Sequence, residues 1–446
     1  MVKDMCSGKP LKLILSFCIP LLIGNIFQQF YNMVDSIIVG QFVGKSALAA
    51  VGATGSINFL VIGFALGICS GFAIPIAQSF GAKDYTKMRK YIVNAAYLGV
   101  LITIILTVST VLLTPSILRW MQTPEDIFEQ SYNYIVIIFL GIGATMLYNM
   151  MAGIFRALGD SRTPLYFLIL SSILNVILDL FFIINLKMGV SGAAIATVIA
   201  QAISGFACFV YMKKKLTIIH CTKDEKKFNF KHGRVLLNMS IPMALQFSIT
   251  AVGSVMIQTA VNSLGSDTVA AVTAASKISI IFTQPLDTVG ITMATYGGQN
   301  YGAGKIDRIF KGLKNALAIS LGYSLMIAII IFMSSNYLGL LFIHKDEVVI
   351  LSQVSQFLRT NAIFYWALGI LFILRNLLQG LGYSFLAMFG GVFELIGRGL
   401  VAFGLVSIFK YQAICFANPV AWLLADVLFI SVWLFKAKEL RAQKDV

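Results

Sequence analysis

The stretch LKLILSFCIPLLIGNIFQQFYNMVDSIIVGQFV, residues 11–43, is a hydrophobic run long enough to cross a bilayer. It nevertheless carries Asn25, Gln28, Gln29, Asn32 and Asp35 at steps of three and four. On a helix such steps collect on one stripe while Leu, Ile, Phe and Val fill the other faces, so the spacing predicts a membrane helix with one wet side. An ionised Asp near the bilayer centre costs roughly 2.5–3.5 kcal/mol on insertion scales, which turns Asp35 toward a protein cavity where it can exchange a proton or cation. Pro20 removes one backbone hydrogen bond and crowds the preceding turn, giving the same helix a place to bend.

Outward from this run the whole chain has the same character. Of 446 residues 58% are hydrophobic and only 12% charged, about half the charge of a soluble globule. Mean hydropathy is +0.85. Twelve apolar runs of spanning length, from 12–39 to 413–435, predict an all-α polytopic membrane protein. The net charge of +15 does not call for nucleic acid, because 25 of the 34 Lys and Arg cluster at the two termini and in segments 83–90, 156–162, 213–234 and 305–314. Only Lys45, Arg119, Lys187, Lys345 and Lys410 occupy the alternate loops. This asymmetry predicts a multi-pass inner (plasma) membrane protein with both termini cytoplasmic. The basic start resembles a signal peptide, but its run is too long and lacks a small-residue cleavage pattern, so it is expected to stay attached. The six cysteines form no CxxC and are expected to be free thiols. His220, His232 and His344 lie outside the spans, which excludes a histidine metal centre in the membrane.

The chain repeats itself. Pro20 and Pro242, Gly44 and Gly265, Gln78 and Gln299, and Gly159 and Gly382 are each separated by 221–223 residues. GKSALAAVGA matches GSDTVAAVTA, QSFGAKDYTKMRK matches QNYGAGKIDRIFK, and RALGDS matches QGLGYS. Six spans per repeat return each half to its starting side, so the halves share one orientation, with a cavity expected between lobes 1–212 and 235–446. The charged segment 213–234 reads as a cytoplasmic linker whose basic residues could also meet anionic headgroups. Gly63, Gly67 and Gly71, four apart, predict a close helix approach.

Five acids fall within spans: Asp35, Asp179, Asp287, Glu394 and Asp426. Asn175 and Asp179 share a helix face, and Thr197 on the next span can add a hydroxyl, making an oxygen set suited to sodium or, with a second carboxylate nearby, to a shared proton. The same Asn–Asp pair could simply tie two helices together. Glu394 and Arg398 have the favourable order for an intrahelical ion pair. Asp287 follows Pro285 and is a possible cavity residue, whereas Asp426 is expected to pair locally. Span seven repeats the polar stripe with Gln246, Thr250, Ser254, Gln258 and Asn262 but no acid, which suits substrate contact better than ion coupling. GQFVGKS at 40–46 is one residue short of a phosphate loop and has no preceding strand, so no nucleotide site is expected and the energy source is an ion gradient. No GxSxG or HExxH stands in a span, which argues against an enzyme.

YNMVDSIIVG around Asp35, the QSFGAKD and QNYGAGK loops, FRALGDSRTP, NVILD and PVAW together resemble the MATE (multidrug and toxic compound extrusion) transporters across both halves. The resemblance implies a V of two six-helix lobes that exports small organic, often cationic, substrates by alternating access in exchange for protons or sodium, with no cofactor and no obligate protein partner. Within the family the chain looks most like the DinF-related branch, whose cation site falls here on Asp35, Asn175, Asp179 and Thr197. Pro20 would be the hinge, and Gln28, Asn32, Gln246, Thr250, Gln258, Asp287 and Glu394 possible cavity or substrate residues. The acids of the NorM-like branch are replaced by Thr250 and Leu368. A flippase of lipid-linked or amphipathic cargo from the wider superfamily is the alternative reading.

Overall fold

The computed structural model describes residues 3–442. Sixteen helices follow one another: α1 Pro10–Ile38, α2 Lys45–Ala53, α3 Gly55–Gly81, α4 Tyr85–Trp120, α5 Glu125–Leu140, α6 Ile142–Ala157, α7 Arg162–Leu180, α8 Gly189–Lys215, α9 Phe230–Asn262, α10 Ser266–Gly302, α11 Ile306–Leu338, α12 Val348–Ile363, α13 Tyr365–Gly380, α14 Ser384–Gly399, α15 Val406–Phe409 and α16 Tyr411–Ala442. No strand occurs among the described residues. Internal hydrogen bonding of every span is what a bilayer demands, since lipid cannot satisfy a backbone amide.

Ten segments are long and apolar enough to cross alone. Two more spans are broken pairs, α5 with α6 bent by 45° and α12 with α13 bent by 52°, giving the expected twelve. The bends were not legible as such in the continuous apolar text. At the first, Val198 of α8 occupies the place that a Cβ on Gly141 would take, so the neighbouring helix presses into the break.

Two compact units are present, one of residues 3–4 and Ile19–Ala244, the other of Met5–Cys18 and 245–442. The division thus falls inside α1 and α9. Small residues explain the second case: Cβ atoms on Gly67 and Gly71 of α3 would collide with the backbone of Ala244 and Ser240, so only glycine lets the first half of α9 lie this close. In the other unit, Met5 donates its amide to Gln299 Oε1 (2.9 Å), while Asn300 Nδ2 (3.2 Å) and Arg308 Nη2 (3.1 Å) donate to its carbonyl. These are residues of the second copy of the repeated loop motif.

The RALGDS motif has a structural purpose. Gly159 takes φ +79° to end α6, and Asp160 then accepts from the amides of Arg162 (3.0 Å) and Thr163 (3.1 Å) and the Thr163 hydroxyl (2.7 Å), starting α7.

The connector is more firmly held than a charged linker requires. Glu225 accepts from Arg89 Nε (2.8 Å) and Nη2 (2.7 Å) and from the Thr222 amide (2.8 Å), and Asn94 Oδ1 takes the Asn229 amide (2.9 Å). The Arg89 guanidinium holds the Glu225 carboxyl at a pKa of about 2, below the ordinary 4.5. A depressed acid stabilises the folded form fully above its ordinary pKa and loses that contribution as pH falls toward the folded one. Protection of the amides in residues 217–229, corrected for their intrinsic exchange rate, is therefore expected to fall between pH 4.5 and 2, and Glu225→Gln should bring several-fold faster exchange there at pH 7. Mass-spectrometric hydrogen exchange checks both.

Candidate functional site

Within the first unit, α1 carries the wet stripe against α7, where a Cβ on Gly24 would lie 3.4 Å from the side chains of Leu165 and Leu168. Pro20 is interior to α1 and leaves the Ser16 carbonyl without its helical donor. Both helices end in a π turn, Val39–Val43 after α1 and Phe181–Asn185 after α7, and the two turns pack on each other. Such widened turns interrupt the regular ladder and recur at functional sites. Asp35 and Asp179 sit just ahead of them.

The Asp35 and Asp179 carboxyl groups lie close enough to act on one another as a pair. A protonated carboxyl donates and an ionised one accepts, so two carboxyls at such range are placed to share one proton. Asp179 is fully buried and Asn175, one turn earlier, is 1% exposed. Asn175 Nδ2 donates to Thr197 Oγ1 on α8 at 3.2 Å. The Tyr31 side chain lies beside Thr197 as well, and Tyr134 of α5 lies in the field of both carboxyls and of Tyr31. Asp35, Asn175, Asp179 and Thr197 are thus brought together, with Tyr31 and Tyr134 added. Tyr31 was available to sequence reasoning, standing one turn before Asp35. Tyr134 gave no such signal.

Tyr31 also lines a cavity of about 130 Å³ in the same unit. Pro20, Asn25, Gln28, Tyr148, Arg156 and Gln201 share its wall. Asn32 is exposed and does not line it, so the polar stripe of α1 splits between two directions.

The second unit differs. Gln246 is locked to Gln379, whose Nε2 donates to Gln246 Oε1 at 2.7 Å, and Thr250 folds back to donate to the Gln246 carbonyl at 3.0 Å. Gln258 Nε2 donates to Asn262 Oδ1 (2.8 Å) in an exposed position. Behind this stripe lies a charged network: Glu394 is 3.4 Å from Arg398 and 3.7 Å from Arg375, and Arg375 also acts on Asp287. Arg375 was missed because it stands alone in apolar text. Asp426 corrects the expectation of local pairing. It is 4% exposed, neither carboxyl oxygen has a hydrogen-bond partner among the described residues, and its neighbouring charge is Glu394, another acid. The nearby arginines are directed to Glu394 and Asp287.

Duplicated six-span halves, a polar cavity and buried acids define a polytopic membrane transporter. The family model MatE matches residues 20–181 and 242–402, and the chain belongs to the MATE family. It is 29% identical over 380 residues to the probable multidrug resistance protein YpnP of Bacillus subtilis, covering 85% of this chain and 84% of that one. With the DNA damage-inducible protein F of Escherichia coli it shares 28% identity over 305 residues, 64% and 62% of the two chains. A crystal structure of MATE in complex with MaL6 superposes with a TM-score of 0.92 at 22% identity, covering 98% of this chain and 99% of that one, a likeness of fold. These relatives are transporters, not enzymes.

A carboxyl pair holding a proton in apolar surroundings should react with dicyclohexylcarbodiimide. Label is expected on the peptides of Asp35 or Asp179, falling as pH rises, while the exposed Asp84 stays unmodified. Sodium should slow the reaction if it competes for the same oxygens. Peptide mapping that finds neither aspartate labelled at any pH would show that the shared proton is absent.

Proposed function

We propose that this protein is a secondary antiporter that exports small organic, chiefly cationic, compounds across the plasma membrane in exchange for protons or sodium. The observation that carries the reading is the buried Asp35–Asp179 pair, set beside each other and next to Tyr31 in the wall of a polar cavity. A second ionisation in so small a space sets two negative charges against each other, so the loaded pair and the emptied pair favour different helix arrangements. Asn175 and Thr197 supply the neutral oxygens that a sodium ion would need in place of the proton. Lobes 1–212 and 235–446 are the moving bodies, 213–234 is their linker, and Pro20 is the bend through which loading of Asp35 alters the cavity wall. Gln28 and the Gln246 stripe meet substrate, while the Arg-neutralised Glu394 and Asp287 hold the second lobe together. The flippase alternative is not favoured, since relatives such as YpnP are described as probable multidrug resistance proteins.

Export of a fluorescent cation from proteoliposomes under separately imposed proton, sodium and voltage gradients tests the reading. Asp35→Asn and Asp179→Asn are each expected to abolish gradient-driven export, with near-normal amounts of folded protein in the membrane. Wild-type rates in either variant would remove that residue from coupling.

The cytoplasmic placement of both termini has its own test. Cys221 lies in the basic connector and is the only one of the six cysteines that is not buried. Burial and the Glu225 charge push its thiol above the ordinary value, so alkylation is expected to be slow at pH 7 and to quicken as pH rises. A membrane-impermeant maleimide should leave it untouched in intact cells and modify it after permeabilisation. Labelling at equal rates in both would reverse the orientation.

A further inference from the structure

Arg156 stands at the last turn of α6 and lines the cavity of the first unit. In the charge count it belongs to a cytoplasmic basic segment, yet the fold turns it inward. No ion pair or side-chain hydrogen bond holds its guanidinium among the described residues, and the groups that act on it are Tyr148 and Cys69, neither a carboxylate. The acid nearest in sequence, Asp160, is committed to starting α7 through the Arg162 and Thr163 amides and the Thr163 hydroxyl. The Tyr148 hydroxyl is likewise used, donating to the Pro164 carbonyl at 3.1 Å. An arginine facing a polar cavity without a counter-ion offers a planar fork of N–H donors suited to a carboxylate or phosphate.

The acids of the first unit lie outside the cavity wall. Tyr31 joins it to the Asp35–Asp179 pair, and eleven residues separate Tyr31 from Pro20 on α1 and Arg156 from Thr145 on α6, all four lining the same space. At 1.5 Å per residue each stretch is about 16 Å long. Arg156 is the charged group in a wall otherwise neutral, and the Asp35–Asp179 pair lies beyond Tyr31 rather than in the cavity lining.

We infer that this cavity contains an oxyanion subsite, in which Arg156 grips a carboxylate or phosphate carried by the transported molecule. Cargo with an anionic group at one end and a cationic or neutral body fits better than a simple cation. The inference rests on the cavity lying on the substrate path.

Two measurements on the full chain test it. Phenylglyoxal modifies free guanidinium groups, and its rate at Arg156 can be followed by peptide mass spectrometry in detergent solution, with the exposed Arg119 as internal standard. Benzoate or phenyl phosphate is expected to slow modification of Arg156 roughly threefold or more, the protection that two-thirds occupancy gives. Arg119 should not respond, and chloride at equal ionic strength should protect neither. Equal protection by chloride, or none by either organic anion, overturns the subsite. Protection by phosphatidylglycerol alone would assign the arginine to a lipid headgroup and equally overturn it.

The second measurement compares a rhodamine free acid with its methyl ester, nearly the same molecule with and without a carboxylate, in proteoliposomes. The acid-to-ester export ratio is expected to fall about tenfold in Arg156→Gln, the loss of about 1.4 kcal/mol, and to recover largely in Arg156→Lys. An unchanged ratio in the Gln variant would leave Arg156 a structural role only. Failure of the wild-type protein to export the ester would count against the antiport of cations, while the labelling result would still decide the subsite.

Discussion

A carboxylate cannot lie alone in hydrocarbon, and in the first unit that constraint is met by placing Asp35 and Asp179 beside each other. Two carboxyls so close favour sharing a proton, so a structural need and a chemical capability arise from the same contact. It also dictates its surroundings. α1 and α7 must run side by side, which Gly24 allows, and each must be widened by a π turn just past its aspartate. Asn175, Thr197 and Tyr31 then complete a shell of neutral oxygens contributed by α7, α8 and α1.

The second unit descends from the same repeat but meets the constraint differently. Its acids are set among arginines: Glu394 faces Arg375 and Arg398, and Asp287 feels Arg375. The duplication has thus produced one unit whose buried acids face each other and another in which Glu394 and Asp287 lie beside arginines. Asp426 departs from this pattern, with both oxygens lacking hydrogen-bond partners among the described residues and an acid for a neighbour.

Packing without a hydrophobic drive between spans depends on small residues, and the glycine positions show it. Gly67 and Gly71 admit α9 against α3, and the repeated QNYG loop binds the lead-in at Met5. The chain keeps the fold of a solved MATE structure at 22% identity, with a TM-score of 0.92.

What the sequence by itself determined follows from one-dimensional physics. Apolar length set the twelve spans, the placement of Lys and Arg set the expected orientation, and the recurrence of motifs some 222 residues apart exposed the duplication. The acids within the spans, and the Asn175–Asp179 spacing, were legible because a polar residue in hydrocarbon stands out against its text. Distances between helices have no such signature. Only the tertiary structure brought Asp35 beside Asp179, added Tyr134 from a helix whose spacing carried no hint, separated Asn32 from Asn25 and Gln28, and broke two apparently continuous spans. Arg156 shows the reason most clearly: its charge was read as topology, and whether a cytoplasmic-end arginine faces headgroups or an internal cavity depends on how α6 is rotated against its neighbours, which only packing decides.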